Sequence, residues 1–117
     1  MKENILLDKS LYFAAKVMML STWLIKHKRE HMISKQIMRS ATSIGANINE
    51  ANYGISKADF ISKMHISLKE TAETEYWIRL LFLSELIEKE RFDDLLADCL
   101  EIKRILVATL NTAKSNK

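Results

Sequence analysis

The chain contains no proline and only two glycines, Gly45 and Gly54. No other feature narrows its fold so far. Proteins average roughly 7% Gly and 5% Pro, and the many tight turns of a sandwich or barrel draw on those residues. A chain this poor in breakers predicts a few long helices. Its 117 residues fit one domain. Hydrophobic residues make up 48% and charged residues 28%, a composition that suits a globular domain and excludes disorder as the main state.

Four segments carry helical spacing. In the first, from Asp8 to Lys28, Phe13, Val17, Leu20 and Leu24 form one row. Leu11, Ala14, Met18 and Ile25 run beside it, and Tyr12, Ala15 and Met19 form a third. A helix on the outside of a monomeric bundle buries one stripe, so this one asks to be covered on more than one side. The second segment, Ile33 to Tyr53, has the 4-3-4-3 seam Ile37, Ala41, Ile44, Ile48, Ala51. A polar row of Ser40, Ser43, Asn47 and Glu50 lies beside it. Gly45 sits inside this helix, where it costs about 1 kcal/mol relative to Ala and marks a close contact. Gly54 is expected to end the helix in a left-handed conformation, and Ser56, with Asp59 three residues on, to cap the next. The third segment, Lys57 to Ile87, should be the spine of the bundle, roughly 45 Å long at 1.5 Å per residue. Phe60, Ile61, Met64, Leu68 and Ala72 are its expected apolar face, and residues 76–83 are apolar nearly all round. The fourth, Glu90 to Ala113, has the seam Leu95, Cys99, Ile102, Leu106, Leu110, with Asp93, Asp94 and Asp98 near the positive end of its dipole. The tail Lys114–Lys117 is expected to fray. Short connections make neighbours antiparallel, so the predicted fold is an all-α, up-down-up-down four-helix bundle filling the whole chain.

Charge is distributed unevenly. The formal net charge is +3, but residues 1–58 hold nine Lys/Arg against four Asp/Glu, and residues 59–117 nine against eleven. The basic half either meets an anionic partner or packs on the acidic half of a neighbour; solvated helix faces are the bland alternative. Lys16, Lys26, Lys28, Arg29, Lys35 and Arg39 stand against Glu30 alone across residues 16–39. Phosphate contacts need such cations, although no stacking aromatics interleave with them.

Other chemistry is sparse. The single cysteine, Cys99, cannot close an internal disulfide and reads as an inert core thiol. The apolar run Leu11–Ile25 is shorter than the roughly 20 residues that span a bilayer. Glu3 and Asp8 stand where a signal peptide would be basic, so the expectation is a cytoplasmic protein without membrane contact. His27 and His31, four apart, could share a helix face as metal ligands do, but Lys28 and Arg29 between them oppose a divalent ion. No Glu-x-x-His of the di-iron bundles, nucleophile elbow or phosphate-cradling loop occurs. No cofactor or metal is expected, and nothing requires catalysis. Tyr76 and Trp77 read as core or interface anchors. Arg79, set in an apolar stretch, should meet Glu50, Glu75 or a carboxylate of a neighbouring subunit, or snorkel to solvent.

Three stretches in order, Ser34–Ala51, Ser56–Ile61 and Leu68–Trp77, resemble the signature of bacterial four-helix bundle proteins encoded in 23S rRNA intervening sequences, sometimes labelled ribosomal-protein-like. Many members carry Pro where this chain has Gly45, and Gly where it has Ala51. The resemblance implies a non-enzymatic bundle that assembles as a ring-shaped homopentamer. A related branch, the accessory proteins of diversity-generating retroelements, implies nucleic-acid and partner-protein binding through a basic surface. Carried over by motif, the positions of interest are Arg39, Ser43, Asn47 and Glu50, then Glu70, Glu73, Tyr76 and Trp77. The resulting expectation is a homo-oligomer that binds RNA or DNA through Lys/Arg of its first two helices. The alternative is a protein-interaction scaffold whose charge asymmetry serves subunit or partner-protein contacts.

Overall fold

In the computed structural model, which describes residues 4–115, the helical spacing resolves into α1 (Ile5–Lys28), α2 (Met32–Asn52), α3 (Lys57–Leu83) and α4 (Lys89–Ser115). Glu3, Asn116 and Lys117, which entered the expectations for the two termini, lie outside the described residues. Each helix packs against its chain neighbours, and α1 closes the square on α4; among the described residues no diagonal pair brings its backbones within 8 Å. This is the antiparallel four-helix bundle that the short connections require.

The caps explain the boundaries. The first helix starts at Ile5, not Asp8, because the Asn4 side chain accepts from Leu7 N at 2.9 Å. Ser56 caps α3 as expected, accepting from Asp59 N at 3.0 Å. Gly54 does not adopt a left-handed conformation. It is small for another reason: a Cβ there would lie 2.9 Å from Asp59 Oδ2 and 3.1 Å from the Ala51 carbonyl, so the start of α3 can close over the end of α2. The left-handed residues are Arg29, at φ 56°, and Glu85, at φ 60°. Glu85 ends α3 at Leu83, four residues before the expected Ile87. Glu85 N donates to Phe82 O and Leu86 N to Leu81 O, a helix-terminating turn built without glycine. It lays Ile87 into the core.

Along α2 the whole expected seam is buried, and in α1 Phe13, Val17, Leu20 and Leu24 are. The third helix differs from expectation. Met64 is buried, but Phe60, Ile61 and Leu68 are half-buried and Ala72 is exposed. Its core stripe is Met64, Ser67, Thr71, Thr74, Ile78, Leu81, with hydroxyls at three of the six positions. Each hydroxyl is satisfied. Ser67 Oγ donates to the Ile44 carbonyl at 2.9 Å, Thr71 Oγ1 to Ser67 O at 2.8 Å, and Thr74 Oγ1 lies 2.8 Å from both Ser40 Oγ and Glu70 O. Returning a hydroxyl to the carbonyl one turn back removes the cost of burying it, and the small side chains let α2 and α3 approach closely. Cys99 adds its thiol to Thr71 O at 3.5 Å.

Candidate nucleic-acid interface

The six cations of the basic stretch divide into two groups. Lys16 and Arg39 serve the seams of the bundle. Lys16 Nζ reaches from α1 to Asp94 at 2.8 Å and Asp98 at 2.6 Å on α4, and these hydrogen bonds raise its pKa. Arg39 reaches from α2 to Glu70 and Glu73 on α3. Part of the charge asymmetry along the sequence is thus neutralised within the single chain.

Lys26, Lys28, Arg29 and Lys35 are exposed and make no ion pair among the described residues. They gather at the α1–α2 turn. Lys26 and Lys28, with His27, occupy the last turn of α1, where cations complement the negative end of the dipole. Glu30, the lone acid of this stretch, is engaged: its Oε1 accepts from Ser34 N at 3.0 Å and stands in for the side-chain cap that His31 does not supply. His27 lies in α1 and His31 caps α2, so the two histidines share no helix face.

An aromatic absent from the sequence expectation, Trp23, stands at this end. The Trp23 ring meets Arg91, whose guanidinium carbon is 4.5 Å from the ring centroid, and Lys28, whose Nζ is 5.6 Å from it; the His27 ring centroid is 5.8 Å away. Trp23 already stands among these cations in the sequence, three residues before Lys26 and five before Lys28, whereas Arg91 comes from α4 and reaches the ring only in the folded chain. The same fold brings acids to this end: Glu85, Glu88 and Glu90 border the groove next to Trp23.

The polar seam runs along α2 and α3. Asn47 Nδ2 donates to Ser43 O at 2.8 Å, and Glu50 pairs with Lys63 at 3.1 Å. Trp77 Nε1 donates to Glu73 Oε2 at 3.0 Å, with the Tyr76 ring edge-on to Trp77 at 5.1 Å. Burial acts to raise the Glu73 carboxyl, but hydrogen bonds from Arg39 and Trp77 outweigh it and hold the pKa low. Of the partners expected for Arg79, Glu75 is the one found, at 3.0 Å; Lys103 approaches Glu75 from α4 at 3.2 Å. Tyr76 is exposed.

The outward side of α1 is apolar. Leu11, Ala15, Met18 and Thr22 repeat in 4-3-4 steps, all exposed, and Tyr12 and Met19 beside them are 73% and 74% exposed.

Among the described residues no group of three His, Cys, Asp or Glu side chains could hold a metal, and no helix is long and apolar enough to cross a membrane. Burial pushes the Cys99 thiol up to about 12, far from a reactive thiolate.

These features define an all-α four-helix bundle with a cluster of exposed cations at the α1–α2 turn and an uncovered apolar flank. More specifically, the chain belongs to the 23S rRNA-intervening sequence protein family, whose model matches residues 2–108. A crystal structure of a protein with unknown function from the S23 ribosomal protein family of Bacteroides thetaiotaomicron superposes with a TM-score of 0.90. It is 45% identical, over 91% of this chain and 98% of that one. No curated protein matches the chain.

Proposed function

We propose that this protein is a non-catalytic, cytoplasmic homo-oligomer, a pentameric ring, that binds structured RNA through the α1–α2 end of each subunit. The observation that carries the reading is the set Lys26, Lys28, Arg29 and Lys35, exposed and without an ion-pair partner among the described residues, while Lys16 and Arg39 are engaged elsewhere. Repeating that end around a ring multiplies weak phosphate contacts into useful affinity. The family's association with 23S rRNA intervening sequences supports RNA as the anion. The test is a gel-shift titration with a structured RNA across a salt series. Absence of binding at low salt, or binding untouched when the four cations become Ala, sinks the proposal.

The uncovered face of α1 supports a second reading, a scaffold for protein contacts. Under it, substitutions on α1 abolish capture of a partner protein, and no RNA is retained.

A further inference from the structure

Trp23, Lys28, Glu85, Glu88, Glu90 and Arg91 border a groove of about 420 Å³ at the α1–α2 end, within the size range of small-ligand clefts. We propose that this groove takes one unpaired guanine base of a nucleic-acid strand, stacked on Trp23. The inference rests on the nucleic-acid reading above and specifies which part of the strand the site holds.

Three observations combine. The first is the covering of the indole. Arg91, 4.5 Å above it, is exposed and forms no ion pair among the described residues, so it is free to yield the ring to a base and lie on the base's outer face. Unpaired bases stack on aromatic rings and on guanidinium planes in this way.

The second is the placement of charge. Three carboxylates border the groove and repel a phosphate from its interior. Lys28 at its edge, with Lys26 and Arg29 beside it in the chain, suits a phosphodiester that stays outside. The polar groups thus separate base from backbone.

The third is hydrogen-bond type. A carboxylate only accepts. Guanine offers two adjacent donors on its Watson–Crick edge, N1–H and the 2-amino group, which match the two oxygens of one carboxylate; uracil offers one ring N–H, and adenine and cytosine a single amino group. A base-paired guanine hides both that edge and its stacking face, so the site selects single-stranded segments. A cationic ligand would also suit an indole flanked by carboxylates, but Lys26, Lys28, Arg29 and Arg91 repel a further cation, whereas a neutral base can take the ring with Arg91 on its outer face.

Fluorescence anisotropy with the full chain at low salt tests the site. The probes are labelled octauridine, the same oligomer with one central guanosine or adenosine, and a hairpin with all guanines paired. The guanosine oligomer should bind about tenfold tighter than octauridine, and Trp23→Ala should remove the difference. Because Trp23 is half-buried, the exposed set Glu85→Gln, Glu88→Gln and Glu90→Gln provides an independent arm. Removing all three negative charges should tighten octauridine binding while the guanosine preference disappears. A purely repulsive role for these carboxylates would move both oligomers together and leave the ratio intact, overturning the inference. Deoxy versions of the oligomers distinguish RNA from single-stranded DNA as the source, and a guanine preference in either supports the site. Hairpin binding without a guanosine preference overturns the base site and leaves the reading of the α1–α2 cations standing. Indole quenching by arginine amide, with no guanosine preference, reassigns the groove to a cationic side chain. Failure of the hairpin and every oligomer to bind removes both readings.

Discussion

Gly45 of α2 lies against Ser10 of α1, so closely that a Cβ added to the glycine would sit 3.1 Å from Ser10 Oγ and 3.6 Å from Ser10 Cβ. Ser10 has no exposed surface, and its hydroxyl is held by a hydrogen bond to Leu7 O at 2.8 Å. The contact sets two effects against each other. Gly45→Ala relieves a helix-propensity cost of about 1 kcal/mol, yet it presses a methyl group on a hydroxyl with little room to move. Urea denaturation should therefore show a change near zero for Gly45→Ala alone. In a Ser10→Ala background the same substitution should stabilise by about 1 kcal/mol, because the remaining contact is ordinary. Equal effects in both backgrounds would show that the hydroxyl does not limit the approach.

The α2–α3 seam should respond to size more than to polarity. Thr74→Val keeps the shape and removes a hydroxyl that touches Ser40 Oγ and Glu70 O. Ser40 retains its bond to Ile37 O at 3.3 Å, so no buried hydroxyl is orphaned and the expected loss is about 1 kcal/mol. Ser67→Leu inserts bulk where Ser67 meets the Ile44 carbonyl and should cost roughly 1–3 kcal/mol or more. If denaturation midpoints rank the two variants the other way, hydrogen bonding and not close packing governs the seam.

How much of this was legible in the residues depends on what each contact requires. The α2 seam could be read directly, because Ile37, Ala41, Ile44 and Ile48 are apolar at helical spacing and all lie in the core. The α3 stripe could not, because Thr71 and Thr74 return their hydroxyls to carbonyls one turn back and Ser67 gives its own to Ile44 O of α2, so they occupy positions that hydropathy assigns to Phe60, Ile61 and Leu68. The turns at Arg29 and Glu85 lack the glycine that would announce a positive φ. At the candidate interface the cations of the α1–α2 turn were visible as a run. Their division into engaged and unpaired sets was not, since Lys16 finds Asp98 across 82 positions of sequence, and Arg91 joins Trp23 only when α4 closes the square.

Acid should weaken the bundle through Glu75. Burial acts to raise this carboxyl, but hydrogen bonds from Arg79 and Lys103 outweigh it and hold its pKa below the ordinary 4.5. A folded-state pKa below the unfolded one means that the unfolded chain binds the proton first as pH falls. The contribution is thus complete above about pH 5, declines below the unfolded value and is gone once the folded carboxyl protonates. Unfolding free energies measured from pH 7 to 3 should be level at the upper end and fall below about 4.5. Glu75→Gln should be less stable at pH 7 and should show a shallower acid limb. A limb as steep as that of the parent protein would place the acid sensitivity elsewhere, with Glu73 the next carboxyl to test.

Binding and stability should respond to different cations. Each phosphate contact that is lost lowers the salt slope of RNA binding by about one. Single Ala substitutions at Lys26, Lys28, Arg29 and Lys35 are expected to reduce that slope with denaturation midpoints little changed. Lys16→Ala and Arg39→Ala leave the slope intact and lower stability modestly, by under about 1 kcal/mol, because both ion pairs are solvent-exposed and screened. A drop in slope for Lys16→Ala equal to that for Lys28→Ala would mean that RNA displaces Asp94 and Asp98 and that the interface extends along α1.

The apolar flank of α1 gives the sharpest test of assembly. Leu11 and Met18 lie seven residues apart on the outward side of the helix, both exposed, with Ala15 and Thr22 completing the row. That spacing forms a seam for another helix, and a contiguous exposed apolar patch commonly marks an interaction site. Leu11→Lys together with Met18→Lys places charge in the patch without touching Phe13, Val17, Leu20 or Leu24, so helix content should be unchanged. Light scattering after size-exclusion chromatography should give a multiple of 13.6 kDa for the parent protein and a smaller mass for the variant. The parent's unfolding temperature should rise with protein concentration, as assembly by mass action requires, and the variant's should not. A parent protein eluting at monomer mass, or a variant retaining the parent's mass, would exclude this face as the contact that builds the oligomer.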